Sequence, residues 1–303
     1  MNKNIHHVKA STQYKREHKP DYGKEKIEIL YEDKDIVVIL KPSGMLSVPY
    51  PGSKARTAQD VLEKIMRGKG TLSSSHKPLV VHRLDRDTSG VMMFALNEAV
   101  QRKIVATWHT MVTERLYHAV AENPKNRNKF LPESGLIDDE LAQNAYHVGY
   151  VPKKNQENVE TVKARTNYKI VLRGETHTLF ELSLDTGKKN QIRAHLASKG
   201  YPLAGDENYR AHTDPFHRLA LHARTLEFNH PTSGEHLKFE VPEPDEWIKY
   251  VEKGDPNPQV PIWSQKIVKS NGNLPSEIKM KMTGKKASHL DFIARGKAMG
   301  RKK

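Results

Sequence analysis

The chain contains no cysteine, and that absence excludes disulfides, thiolate zinc sites and a cysteine nucleophile. No long uncharged apolar run is present to cross a membrane. The first twenty-five residues, MNKNIHHVKASTQYKREHKPDYGKE, hold no apolar stretch fit for a signal peptide. The expectation is a soluble, cytoplasmic protein with no membrane partner. An internal repeat of fixed period is also lacking, which sets aside repeat architectures.

What is present is positive charge, unevenly spread. Of the formal net +14 over 303 residues, +9 falls in residues 266–303, where eleven Lys or Arg face only Glu277 and Asp291. The rest of the chain is therefore only mildly basic. Such a tail is either a solvated appendage or a contact for a polyanion such as nucleic acid.

Residues 1–26 are polar and aperiodic and read as a basic N-terminal tail. The body spans residues 27–252. It opens with IEILYEDKDIVVILKPSG, which reads as strand, acidic turn, strand and a Pro-Ser-Gly turn. TAQDVLEKIMRGKG predicts a helix capped by Thr57 with Asp60, carrying Val61, Leu62, Ile65 and Met66 on one face and stopped by Gly68. A second helix, NEAVQRKIVATWHT, starts at Asn97 and places Val100, Ile104 and Trp108 on one side. VMMFAL and ERLYHAVAE read as strands. Two hairpins follow, turning at Arg173 to Thr176 and around Thr232 to Gly234, with a short helix ending at Gly200 between them. DEWIKYVEKG closes the body, and residues 253–303 form a Pro-rich link and the basic tail, read as flexible. Consecutive hairpins with interspersed helices predict an α+β fold with a mixed, largely antiparallel β-sheet and flanking helices.

Between the two early helices lies VHRLDRDTSGVMMF, where opposed charges crowd the mouth of an apolar strand. One reading is a polar loop in which Asp85 or Asp87 bonds its own backbone and Thr88-Ser89-Gly90 turns. A metal site on His82, Asp85 and Asp87, as in a metal-dependent nuclease, is a second reading, but Arg83 and Arg86 would compete with a divalent cation. A third is a single carboxylate nucleophile, kept ionised and oriented by a guanidinium.

The string HRLDRDTSG resembles the signature of the RluA-type pseudouridine synthases, His-Arg-Leu-Asp-x-x-Thr-Ser-Gly, at every specified position. KPSG at Lys41 to Gly44, RLY at Arg115 to Tyr117, TGKKNQIRAH at Thr186 to His195, GYPLAGDENY at Gly200 to Tyr209 and LHARTLEFNHP at Leu221 to Pro231 resemble family segments in the family's order. The resemblance spans residues 27 to about 250 and leaves both tails outside it. Lys188 and Asn190 depart from the family's Thr-Gly-Arg-x-His-Gln-Ile-Arg, and Arg115 replaces its usual Lys. These changes spare the Asp, Tyr and Arg the family relies on, so they bear on substrate contacts more than on activity. The twenty-six polar N-terminal residues are too few for the small RNA-binding domain some members carry.

The resemblance implies a pseudouridine synthase fold with a central RNA-binding cleft, and isomerisation of uridine in structured RNA, ribosomal or transfer. The uracil leaves its ribose at N1, turns, and rejoins through C5, without cofactor or metal. Asp85 matches the catalytic residue, whether it attacks the sugar, attacks the base or removes a sugar proton. Tyr117 matches the tyrosine that stacks on the target uracil, and Arg193 the arginine that pairs with the catalytic carboxylate. Arg83 matches the arginine that fills the space of the flipped nucleotide, a plausible use of a planar cation. His82, His195 and His222 are expected to make structural hydrogen bonds. RNA is the expected partner and a monomer the expected state. The rival from another class is a non-catalytic RNA-binding or ribosome-assembly protein with the same fold.

Overall fold

The computed structural model describes residues 4–7 and 27–256, except 53–54, 146, 154–155 and 157–158. In chain order the strands are β1 (Asn4–His7), β2 (Glu28–Glu32), β3 (Ile36–Lys41), β4 (Leu79–Val80), β5 (Ser89–Ala95), β6 (Val112–Glu122), β7 (Ser134–Ile137), β8 (Ala142–Gln143), β9 (Gly149–Tyr150), β10 (Thr166–Arg173), β11 (His177–Leu184), β12 (Leu221–Asn229) and β13 (His236–Glu240). The helices are α1 (Ala58–Lys69), α2 (Glu98–Met111), α3 (Gln191–Ser198) and α4 (Asp245–Lys253). Among the described residues eleven strands share one sheet, with the central order β2-β3-β5-β12-β6-β11-β10-β7. Most pairs are antiparallel, and β5–β12 and β1–β13 are parallel. The fold is α+β, as the hairpin pattern predicts.

β3 and β5 are buried along their whole length, because both faces of this part of the sheet are covered. Their side chains alternate between two cores, as the twofold period of a strand requires. Val37, Ile39, Met92 and Phe94 pack with Val61, Leu62 and Met66 of α1. Val38, Leu40, Val91 and Met93 go to the other face, with Ile104 and Met111 of α2. α1 begins at the Thr57–Asp60 capping box, and α2 at Asn97, whose side chain accepts from the Val100 N–H.

β12 joins the two halves of the sheet. His222 and Ala223 pair in parallel with Ser89 and Gly90, while the opposite edge of β12 runs antiparallel to β6. At this joint Gly90 has φ +127°, and a Cβ there would lie 2.2 Å from the Ala223 carbonyl oxygen. Only glycine permits that approach. A directed hydrogen-bond chain locks the joint beside it. Arg218 donates to Ser89 Oγ at 2.6 Å, Ser89 donates to His222 Nδ1 at 2.8 Å, and His222 Nε2 donates to the Val241 carbonyl at 2.8 Å.

Three features differ from the sequence pattern. α1 runs through Gly68 and ends at Gly70, which takes the left-handed conformation with φ 72°. A helix interior tolerates glycine at a cost of about 1 kcal/mol, whereas the C-terminal turn needs positive φ. Asn4–His7, within the segment read as an aperiodic tail, forms a strand parallel to β13. Edge pairing uses backbone groups and leaves no hydrophobic period to read. The expectations for residues 257–303 lie outside the described residues. No described helix is long and apolar enough to cross a membrane.

Candidate active site

The Asp85 loop is tied down from behind by the KPSG segment. Lys41 is fully buried, and its ammonium donates to the carbonyls of Pro42, Met45 and Arg86 at 2.9, 2.7 and 3.0 Å. Ser47 Oγ donates to the Leu84 carbonyl at 2.7 Å and accepts from the Leu84 N–H at 3.1 Å. Ser43 donates to the Asp87 carbonyl at 2.8 Å, and the Thr88 N–H turns back to the Asp85 carbonyl at 3.2 Å. Backbone carbonyls on both sides of Asp85 are thus satisfied by buried donors, which fixes the direction in which its side chain leaves the loop.

That side chain keeps 30% of its surface exposed. Its Oδ2 accepts from Asn190 Nδ2 at 2.6 Å and lies 3.9 Å from Arg193 Nη1. Arg193, which the resemblance pairs with this carboxylate, meets it as an ion pair at 3.9 Å without a hydrogen bond. The structure instead gives its two-pronged contact to Asp206, Nε and Nη2 each donating at 2.7 Å to a separate oxygen of a fully buried carboxylate. The third nitrogen is left to face Asp85, and the guanidinium carbon sits 5.1 Å from the centre of the Tyr209 ring. Burial works to lower the Arg193 pKa, but the Asp206 bond and charge, followed by Asp85 and Tyr209, outweigh it and raise it. The site therefore holds a permanent cation whose orientation Asp206 sets.

Tyr117, on β6, packs between two of the buried cores. Burial raises its phenol pKa; the Arg115 charge acts to lower it and Asp85 adds to the rise. A neutral phenol close enough to feel Asp85 is the result. Arg115 itself donates to the Leu184 carbonyl at 2.9 Å and lies over Trp108 at 5.7 Å. Arg83 is exposed and has no hydrogen-bond or ion-pair partner among the described residues. The structure brings Asp85 and Arg193 together, sets Tyr117 within reach of the Asp85 charge and leaves Arg83 exposed.

The three donors of a conceivable metal site each have other partners. His82 Nε2 accepts from the Met93 N–H at 3.0 Å, Asp87 pairs with Arg86 at 3.1 Å, and Asp85 takes Asn190. Among the described residues no cluster of three metal-type ligands is found. Burial, with the Arg115 charge, brings the His82 pKa down to about 3, so the ring is a neutral acceptor. His195 likewise lies between Thr166 Oγ and the Asp139 carbonyl, both at 2.9 Å. With His222 in the β5–β12 joint, all three histidines have structural bonds.

Asn190, Asp206 and Lys41 were not singled out from the sequence as site residues. In the sequence Asn190 stands out only as a departure from a motif, one that bears on substrate contacts; its amide in fact touches Asp85. The need of a buried Arg193 for a counter-ion would have been the signal for Asp206.

A family model described as RNA pseudouridylate synthase matches residues 35–198. Over 231 residues the chain is 32% identical to the uncharacterized RNA pseudouridine synthase YlyB of Bacillus subtilis (strain 168), covering 75% of this chain and 72% of that one. It is 31% identical over 237 residues to ribosomal large subunit pseudouridine synthase D of Pseudomonas aeruginosa, covering 73% and 70% respectively. The solved structure of human RNA pseudouridylate synthase domain containing 1 superposes with a TM-score of 0.58 at 20% identity, over 82% of this chain and 96% of that one, and shows the same fold. Fold and sequence together define an isomerase that acts on RNA. The chain belongs to the RNA pseudouridylate synthase family, in its RluA-type branch, and is an RNA pseudouridine synthase.

Proposed function

We propose that residues 27–252 form a catalytic body that converts specific uridines of structured ribosomal RNA to pseudouridine, with Asp85 as the catalytic residue and without a cofactor. The observation that carries the reading is the carboxylate of Asp85. It is partly exposed, bonded by Asn190 and faced by the fixed cation of Arg193. A protein that only binds RNA gains nothing from such a group, since a carboxylate repels phosphate. The large ribosomal subunit is favoured as the substrate source by the likeness to a relative named ribosomal large subunit pseudouridine synthase D.

The reaction balances without an external reagent. The bond from C1′ to N1 breaks, the bond from C1′ to C5 forms, N1 gains a proton and C5 loses one. Asp85 supplies the base or nucleophile. Tyr117 offers a flat, neutral ring for the turning uracil, and exposed Arg83 is available to fill the stack that the flipped nucleotide leaves.

The test is Asp85→Asn, which preserves size and removes the charge. RNA binding should persist while single-turnover pseudouridine formation falls by at least about 1,000-fold. Formation within a few fold of wild type would remove Asp85 from the mechanism.

A further inference from the structure

We propose that Asn190 is a positioning residue that clamps one oxygen of Asp85, so that the opposite oxygen, Oδ1, is the one that meets the substrate. This rests on the reading of Asp85 as the catalytic carboxylate. Both protein contacts converge on the same atom: Asn190 Nδ2 at 2.6 Å and Arg193 Nη1 at 3.9 Å are measured to Oδ2. Among the described residues no hydrogen bond reaches Oδ1. An ionised carboxylate only accepts, so the side of the Asn190 amide that faces it must be the NH₂ group.

The backbone at Asn190 is built for this use. The residue precedes α3 and has φ 56°, ψ 21°, a left-handed conformation that asparagine adopts more readily than most residues. Asparagine in that position ordinarily turns its side-chain oxygen back to cap the helix, and here it makes no such bond. The side chain is instead committed to Asp85, 105 residues away in the sequence. Gln191 holds the platform rigid with both ends of its buried amide. Its Oε1 accepts from Thr186 Oγ and the Lys188 N–H at 2.8 and 3.0 Å, and its Nε2 donates to the Arg165 carbonyl and Thr166 Oγ at 2.9 and 3.0 Å. On the other side, Gly149 packs so close that a Cβ would lie 2.6 Å from the Lys189 carbonyl oxygen. Neither the clamp nor its base has room to drift.

A carboxylate free to rotate presents either oxygen at a range of angles, and misplacement on the order of 1 Å costs about 100-fold in rate. Clamping Oδ2 from one side selects a single presentation of Oδ1.

The experiment compares full-length wild type with Asn190→Ala, Asn190→Asp and Asn190→His on a ribosomal RNA fragment, with Asp85→Asn as reference. RNA affinity and single-turnover rate at saturating RNA are read for each. The expected result is unchanged affinity with a rate order of His above Ala above Asp. Histidine restores an N–H donor and tolerates the left-handed backbone; alanine removes the donor; aspartate removes it and adds a like charge. Alanine should lose about 10- to 100-fold. A merely structural role predicts the opposite order, since aspartate is the closest in shape. An aspartate variant as fast as wild type, or faster than alanine, would overturn the inference. If Asp85→Asn remains active, the reading of Asp85 fails and the clamp fails with it. If Asp85→Asn is inactive while every Asn190 variant matches wild type, the clamp alone is wrong.

Discussion

Asp85 owes its position to buried residues behind its loop. Lysine is seldom fully buried, yet Lys41 is, because its ammonium finds three carbonyls, one of them on Arg86. The KPSG string gave no sign of this, since the Arg86 carbonyl lies 45 residues away and those of Pro42 and Met45 turn onto the ammonium only in the folded loop. Arg193 poses the same problem of legibility. Only the resemblance of NQIRAH singles it out, since without that context it reads as a solvated helix arginine; every residue from Gln191 to Leu196 of α3 is buried, so no apolar stripe marks the inner face. HRLDRDTSG, by contrast, points to Asp85 as the candidate from the string alone. For Arg193→Lys the account predicts loss of most activity together with lowered stability. An ammonium keeps the charge near Asp85 but cannot make both 2.7 Å bonds to Asp206. Single-turnover assays with urea unfolding check this; a lysine variant near wild type in both would show that only the charge is needed.

At the scale of elements, the strands and helices were legible wherever the hydrophobic period was clean. The IVVILK and VMMFAL strands and the capped helices α1 and α2 formed as their patterns require. What the patterns could not carry is the buried polar network that joins them. His177, at the start of β11, is 1% exposed, with its nitrogens 2.9 Å from Thr176 Oγ and Thr213 Oγ. Burial brings its pKa down to about 4, whereas in an unfolded chain histidine titrates near 6.5. Between these values the unfolded state binds the extra proton. The stability that His177 supports is therefore fully present above about pH 6.5 and is lost as pH falls towards 4, by at most about 1.4 kcal/mol per pH unit. Urea unfolding of wild type and His177→Gln from pH 7.5 to 5 should show a shallower loss in the variant. Equal slopes would mean that His177 does not take part.

For the whole molecule, the division of charge is the feature the sequence shows most plainly. Residues 266–303 hold +9 of the +14, and none of the site residues lies there. Each phosphate neutralised by Lys or Arg releases condensed counterions, with a salt slope of about 0.7 to 0.9 per contact. If the tail engages about three charges at once, a chain ending near Trp263 should show a slope flatter by roughly 2 to 3 units, with the saturated rate unchanged. An unaltered slope would make the tail a solvated appendage. Which uridine the enzyme selects was not legible, because structured RNA is recognised by loops and shape through scattered residues. The central claim, that this chain isomerises defined uridines through Asp85, is tested most directly by mapping pseudouridine in total RNA. The comparison is between cells lacking the gene and the same cells carrying wild type or Asp85→Asn. The account predicts that one or a few ribosomal uridines lose modification in the deletion, regain it with wild type and stay unmodified with Asp85→Asn. Full restoration by Asp85→Asn, or a map unchanged by the deletion, would contradict it.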